Sequence, residues 1–98
     1  MKAPVKYTIF CLLYMAGDDG IWEYDLYQVL KRHYKLNSLT KLREILVEFA
    51  TKNWTEITQQ KLCGEEVIRR YKLQNKHREF LEYQLDPKKL LAEMGIVS

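Results

Sequence analysis

The chain has little of what most enzymes and secreted modules require. Its 98 residues include only two cysteines and two histidines. Cys11 lies inside the apolar run IFCLLYMA and Cys63 beside a turn glycine, a placement that suits neither a disulfide framework nor a zinc site. His33 and His77 have no cysteine or second histidine at ligand spacing, so no metal and no other cofactor is expected. Also missing are Gly-x-Ser-x-Gly, a phosphate-binding glycine loop, His-Glu-x-x-His and a paired-carboxylate motif, while Asp18, Asp19 and Asp25 miss the spacing of a calcium loop. No enzyme is expected. The longest apolar run is too short to span a bilayer and has no small-residue cleavage site, which points to a cytoplasmic protein with no membrane partner. There is no Ser/Gly/Pro-rich or repeated segment, so residues 1–98 are expected to fold throughout as one domain.

What is present is apolar material for one packed core, seven tyrosines included. Pro4 suits the first turn of a helix over about 4–16, on which Tyr7, Phe10, Cys11, Tyr14 and Met15 follow helical spacing up to Gly17. GDDG reads as a turn, and Ile21-Trp22 as a short strand or extended connector with Trp22 anchored in the core. A second helix is predicted over 25–35, with Asp25 and Gln28 as a capping-box variant and Tyr24 and Val29 as a hydrophobic staple. Leu26, Val29, Leu30, His33 and Tyr34 supply its buried side, and KLN makes the turn that follows.

Ser38 to Leu73 reads as one unit. Ser38 is a good N-cap, and Leu39, Leu42, Ile45, Leu46 and Phe49 form a single stripe on a helix over 39–52. Asn53 tolerates the left-handed conformation that ends a helix. The β-branched and polar run WTEITQQKL, the turn CGEE and the run VIRRYKL predict a hairpin over about 54–73. With Cys63 to Glu66 as the turn, Leu62 should face Val67, Gln60 Arg69, and Thr58 Tyr71. A further helix over 75–85 is expected to bury Phe80, Leu81 and Leu85. Asp86-Pro87 then caps and restarts a short helix over 87–94, which carries Leu90, Leu91 and Met94 and ends at Gly95. The fold class expected is α+β and mostly helical: a winged helix-turn-helix with a two-stranded β-hairpin wing and an extra C-terminal helix.

A formal net charge of +3 says little, but its distribution says more. From Lys52 to Arg78 seven Lys and Arg stand against three Glu, whereas from Glu79 onward two Lys stand against four acids. Major-groove recognition needs a rigid helix with a free polar face, because the base edges there carry a distinguishable donor and acceptor code. On the helix over 39–52, Ser38, Thr40, Lys41, Arg43 and Glu44 occupy the first turn and a half, the part that reaches bases in such domains. Lys61, Arg69, Arg70 and Lys72 on the hairpin are placed to meet phosphates. Lys76 and Arg78 stand in the first turn of a helix, where the macrodipole disfavours cations and a nearby anion would relieve the conflict. Glu44 and Glu48 oppose this reading, since a carboxylate near phosphates is repelled, although one Glu can accept a hydrogen bond from cytosine. With the apolar Val47 they leave open a protein-interaction module without DNA binding. A third possibility is a small-molecule-responsive regulator with a pocket among Trp22, Trp54 and the tyrosines.

The segments GIWEYDLYQVLKRHY, SLTKLREILVEFATKNWTEI and EEVIRRYKLQNKHREFLEY resemble small bacterial winged-helix regulators of the PadR and MarR type, over about residues 20–83. The resemblance implies a cytoplasmic transcriptional regulator that binds specific sequences in double-stranded DNA. It also implies a homodimer through the first and last helices, with Tyr7, Phe10, Tyr14, Leu81, Leu85, Leu90, Leu91 and Met94 as candidates. The chain departs from that pattern where Asn53 replaces a common Gly and Gln74 a common Thr, and its segment from Asp86 to Ser98 is shorter than the usual dimerisation region.

Overall fold

The chain's geometry comes from a computed structural model that describes residues 4–36, 38–84 and 86–96. In chain order the elements are α1 (Val5–Ala16), a 3-10 turn (Gly17–Asp19), β1 (Ile21–Trp22), α2 (Glu23–Tyr34), α3 (Leu39–Thr51), β2 (Thr55–Cys63), β3 (Glu66–Leu73), α4 (Asn75–Gln84) and α5 (Pro87–Glu93). The architecture is α+β and mostly helical. The three strands form one antiparallel sheet in the order β1-β3-β2, so the strand from Glu66 to Leu73 is central and paired on both sides. Ile21-Trp22 is therefore a third strand, which makes the hairpin part of a sheet and not a free two-stranded element.

α1 runs through the middle of the molecule. Thr8, Ile9, Phe10, Cys11, Leu12 and Leu13 are buried in succession, so the helix is covered all round where helical spacing had suggested a single stripe. It packs against α2, α5 and β3. Thr8 satisfies its hydroxyl against Tyr34 at 2.6 Å and donates to the Met94 sulfur at 3.6 Å, joining α1 to α2 and to the end of α5. Of the residues that the resemblance assigned to a dimer, Phe10, Leu81 and Leu91 lie in the core, and Tyr14 and Leu90 are partly buried against it. Tyr7 is exposed; Leu85 lies outside the described residues.

The leucine stripe of α3 behaves as its spacing requires. Leu42, Leu46 and Phe49 are fully buried and Leu39 and Ile45 pack beside them; burial of each of the first three contributes about 1.5–3 kcal/mol. Ser38 caps the helix, its Oγ accepting from Lys41 N at 3.3 Å. At the other end Asn53 adopts φ 60°, with Asn53 N donating to Ala50 O at 3.0 Å and Trp54 N to Phe49 O at 2.9 Å. That pair of bonds is a Schellman closure, and the Phe49 and Trp54 rings supply its usual apolar contact with centroids 5.7 Å apart. Asp86 likewise caps α5 by accepting from Lys89 N at 3.2 Å, with Pro87 in the first turn.

Three local expectations are corrected. α2 begins at Glu23, not Asp25, with Trp22 at the N-cap position and no side-chain cap bond, so the Asp25 capping box does not form. Phe80, expected inside, is 53% exposed, while its neighbour Leu81 is buried. In the hairpin Leu62 faces Val67 and Gln60 faces Arg69 as expected, but Tyr71 faces Ile57. A bulge at Thr58 inserts one residue into β2 and restores the inward side of Thr55 opposite Leu73. Gly64 opens the two-residue turn at φ 67°, the positive value such hairpin turns need at their first position.

Candidate nucleic-acid interface

The outward side of α3 is where a base-reading surface would have to be. Thr40, Lys41, Glu44, Val47 and Thr51 are exposed along it, and Ser38 at its start is occupied in capping. Arg43 turns the other way. Its Nη2 lies 3.1 Å from Oε1 of Glu23, a residue with no exposed surface, and its Nη1 lies 3.6 Å from Oε1 of Glu66. Tyr24 donates to the other oxygen of Glu66 at 2.8 Å, and that bond raises its phenol above the usual tyrosine value. One guanidinium thus joins the first turn of α2, the first turns of α3 and the start of β3. It is a structural tie between the helices and the hairpin, not a free contact.

Glu48 loses its repulsive character. Lys6 Nζ lies 3.0 Å from one of its oxygens and Lys52 Nζ 3.3 Å from the other, and these bonds hold its carboxyl below the usual carboxylate range. Glu44 makes no ion pair among the described residues, so no cation there offsets its charge.

The hairpin cations divide into two groups. Lys72 is neutralised: its Nζ lies 3.6 Å from Asp18 and 3.5 Å from Glu56, its partner across the strands, and only 19% of the side chain is exposed. Lys61, Arg69 and Arg70 have no acidic partner among the described residues. Arg69 and Arg70 donate across the sheet to Gln60 at 3.4 Å and Gln59 at 3.3 Å, neutral acceptors that hold the guanidinium groups without cancelling their charge. Lys61 Nζ stands 4.5 Å from the centre of the Trp22 ring and Arg70 Cζ 5.8 Å from it. Trp22 is accordingly a half-buried platform for two cations rather than a member of the core.

The pair at the start of α4 also separates. Arg78 Nη1 donates to Tyr14 O at 3.0 Å and its guanidinium lies 4.4 Å from the Tyr14 ring, so it sits at the C-terminal end of α1, where a cation is favoured. The conflict inferred from its position on α4 is resolved within the fold. Lys76 is exposed. Sequence spacing had not revealed the Trp22 platform; the signal available was a tryptophan one residue before a helix, opposite a strand with two adjacent arginines.

Among the described residues no helix is long and apolar enough to cross a membrane, and no group of three or more His, Cys, Asp and Glu is placed to hold a metal ion. No protein-family model, curated protein or solved structure matches the chain.

Proposed function

We propose that the chain is a winged-helix DNA-binding regulator, with α3 entering the major groove and the hairpin lying on the phosphate backbone. The observation that carries this reading is that the charges on the hairpin are sorted. Among the described residues Lys61, Arg69 and Arg70 are left without acidic partners, while Lys72, like Arg43 on α3, is taken up by the fold. The strand order β1-β3-β2 and the helix order before it are compatible with a winged helix. On α3, Thr40 and Lys41 remain as base-reading candidates, Glu44 as a possible acceptor from cytosine, and Ser38 as the cap that fixes the helix start. Homodimerisation belongs to the same proposal, and among the described residues Tyr7, exposed on α1, and the half-buried Met94 are parts of the expected surface still available for it.

A salt-titrated duplex-binding assay tests the assignment. Lys61→Ala should weaken binding to all sequences and lower the salt slope by about 1, Lys72→Ala should leave the slope unchanged, and Lys41→Ala should change the preference at one position of a selected site. Absence of duplex binding at low salt sinks the reading.

A second reading has its own support. Val47 is 54% exposed beside Glu44, and Leu62 at the hairpin tip is 74% exposed, apolar surface that suits a protein partner better than a groove. A partner retained from extract after nuclease treatment, and lost on Val47→Asp, favours that interaction module.

A further inference from the structure

The outer strand of the hairpin, β2, is an open edge. It runs for nine residues with β3 as its neighbour in the sheet, and Ile57 to Cys63 are exposed without a break. Alternate residues of such a strand turn their backbone N–H and C=O groups outward, and among the described residues no backbone hydrogen bond meets them on that side.

Edges are closed to further strands by proline, by a bulge or by a charged side chain standing along them. β2 has no proline, and its bulge lies at Thr58, so Gln59 to Cys63 form a regular ladder. The one cation of that stretch is turned away. Lys61 faces Ile68, and its Nζ reaches across β3 to stand 4.5 Å from the centre of the Trp22 ring on β1. Gln59 and Gln60 are likewise drawn inward, accepting from Arg70 at 3.3 Å and from Arg69 at 3.4 Å. The long side chains that would guard this edge are held over the sheet, and the edge is bare.

Charge and register describe the strand that fits it. Gln59 and Lys61 share one side of the sheet with Arg70 and Trp22, and Gln60 and Leu62 share the other with Arg69 and Val67. An added strand sets one side chain about 4.5–5.5 Å from each residue it opposes. A carboxylate beside Gln59 replaces a neutral acceptor for Arg70 with a charged one, and a carboxylate beside Lys61 meets an ammonium that has no acid among the described residues. An apolar residue beside Leu62, 74% exposed, covers the hairpin tip. A second copy of the chain fits badly: its β2 brings the same cations, and the acid of that strand, Glu56, is held by Lys72.

We propose that the free edge of β2 from Gln59 to Cys63 takes an extended acidic peptide of a partner protein as a fourth strand, with carboxylates on the Trp22 side and an apolar residue against Leu62. The backbone edge supplies affinity, and the cations select the partner. Lys61, Arg69 and Arg70 are also the cations assigned to phosphates, so such a strand and a duplex exclude one another, a consequence that rests on the DNA-binding reading.

The probe is a blocked octapeptide of alternating valine and glutamate, titrated into the full chain without DNA and followed through amide and indole resonances. The expected result is slowed amide exchange within Gln59 to Cys63, with the Trp22 indole shifting as Lys61 leaves its ring and the Trp54 indole unmoved. The analogue with glutamine for glutamate should bind about tenfold more weakly, as loss of a charge-assisted bond implies, and the lysine analogue should not bind. N-methylation of all the valines, or of all the glutamates, removes the N–H groups along one edge of the peptide. One methylated peptide should therefore lose binding and the other keep it. Lys61→Ala should abolish the preference for glutamate over glutamine, and Leu62→Asp should weaken both peptides; both side chains are exposed, and thermal melts confirm that the variants remain folded. Val47→Asp, which ends the interaction of the module reading, should leave the affinity for the peptide unchanged, so the readings fail separately. Peptide binding by a chain that binds no duplex leaves this proposal standing. Equal effects of the two methylations, equal affinity for the glutamate and glutamine peptides, or no binding overturns it. So does a self-association by sedimentation that Leu62→Asp abolishes, since the edge would then be taken by a second copy.

Discussion

Arg43→Ala is the substitution that most directly tests the account of the helix–hairpin tie. Removing the guanidinium leaves Glu23, a carboxylate with no exposed surface, without its 3.1 Å partner. Breaking a buried ion pair from one side costs about 3–5 kcal/mol when both members are enclosed. Arg43 keeps 28% of its side chain in water, and the second arm, to a half-exposed Glu66, adds about 0–1 kcal/mol. The expected loss is therefore about 2–3 kcal/mol, just below the range for a fully enclosed pair. For a domain of this length that lowers the melting temperature by roughly 10–20 °C. Guanidinium unfolding of Arg43→Ala, Glu23→Gln, Glu66→Gln and the double variant Arg43→Ala/Glu23→Gln separates the terms. Glu66→Gln should cost under about 0.5 kcal/mol. The double variant should recover about 1 kcal/mol or more relative to Arg43→Ala, because a neutral amide replaces the stranded charge. A cost for Arg43→Ala below about 0.5 kcal/mol, the level of an ordinary surface change, would refute the tie. So would simple additivity of the two substitutions.

Gly20→Ala should destabilise by at least about 2 kcal/mol in a thermal melt, since an added Cβ would lie 2.5 Å from the Tyr71 carbonyl oxygen at a residue with φ 74°. Burial pushes the His77 ring below its usual pKa of 6.5, so the unfolded chain takes up this proton at a higher pH than the folded one. Stability from this residue should thus be intact above about pH 6.5 and fall as the pH drops from there toward the lower folded value, and a melting series in His77→Phe should lack that step. Cys63 is exposed whereas burial raises the Cys11 thiol to about 11. A thiol reagent at neutral pH should therefore titrate one group quickly in the folded chain and both in denaturant.

Features set by near neighbours were legible in the chain, and those set across it were not. Ser38, Asn53 and Asp86-Pro87 act within four or five residues, and each does in the fold what its chemistry suggested. The hairpin register was readable from the turn outward as far as Gln60, but the bulge at Thr58 answers to the core beneath Thr55 and Leu73, which no local pattern records. The start of α2 was misplaced for a related reason. Glu23 belongs in the helix because Arg43, twenty residues later, compensates its burial, and that tertiary pair overrides the local cap offered by Asp25. Among the candidate site residues, counting cations found the basic strand but could not tell Lys72 from Lys61, because, of the two acids that occupy Lys72, one, Asp18, lies in the distant turn after α1 and the other, Glu56, is brought opposite it by the bulge. The side of α3 that faces solvent was legible because it is the complement of the leucine stripe.

The central position of α1 also has a consequence for how the protein is made. This helix leaves the ribosome before the elements that cover it, and one of its covers, α5 with Met94 and Ile96 beyond it, lies some eighty residues later. At about 5–20 residues per second a run of six core residues, Thr8 to Leu13, waits for roughly 4–16 s before its last neighbours exist. During that interval the most apolar surface of the molecule is open to chaperones and to other nascent copies. The yield of folded protein should therefore depend more on translation speed and on α5 than its final stability would suggest.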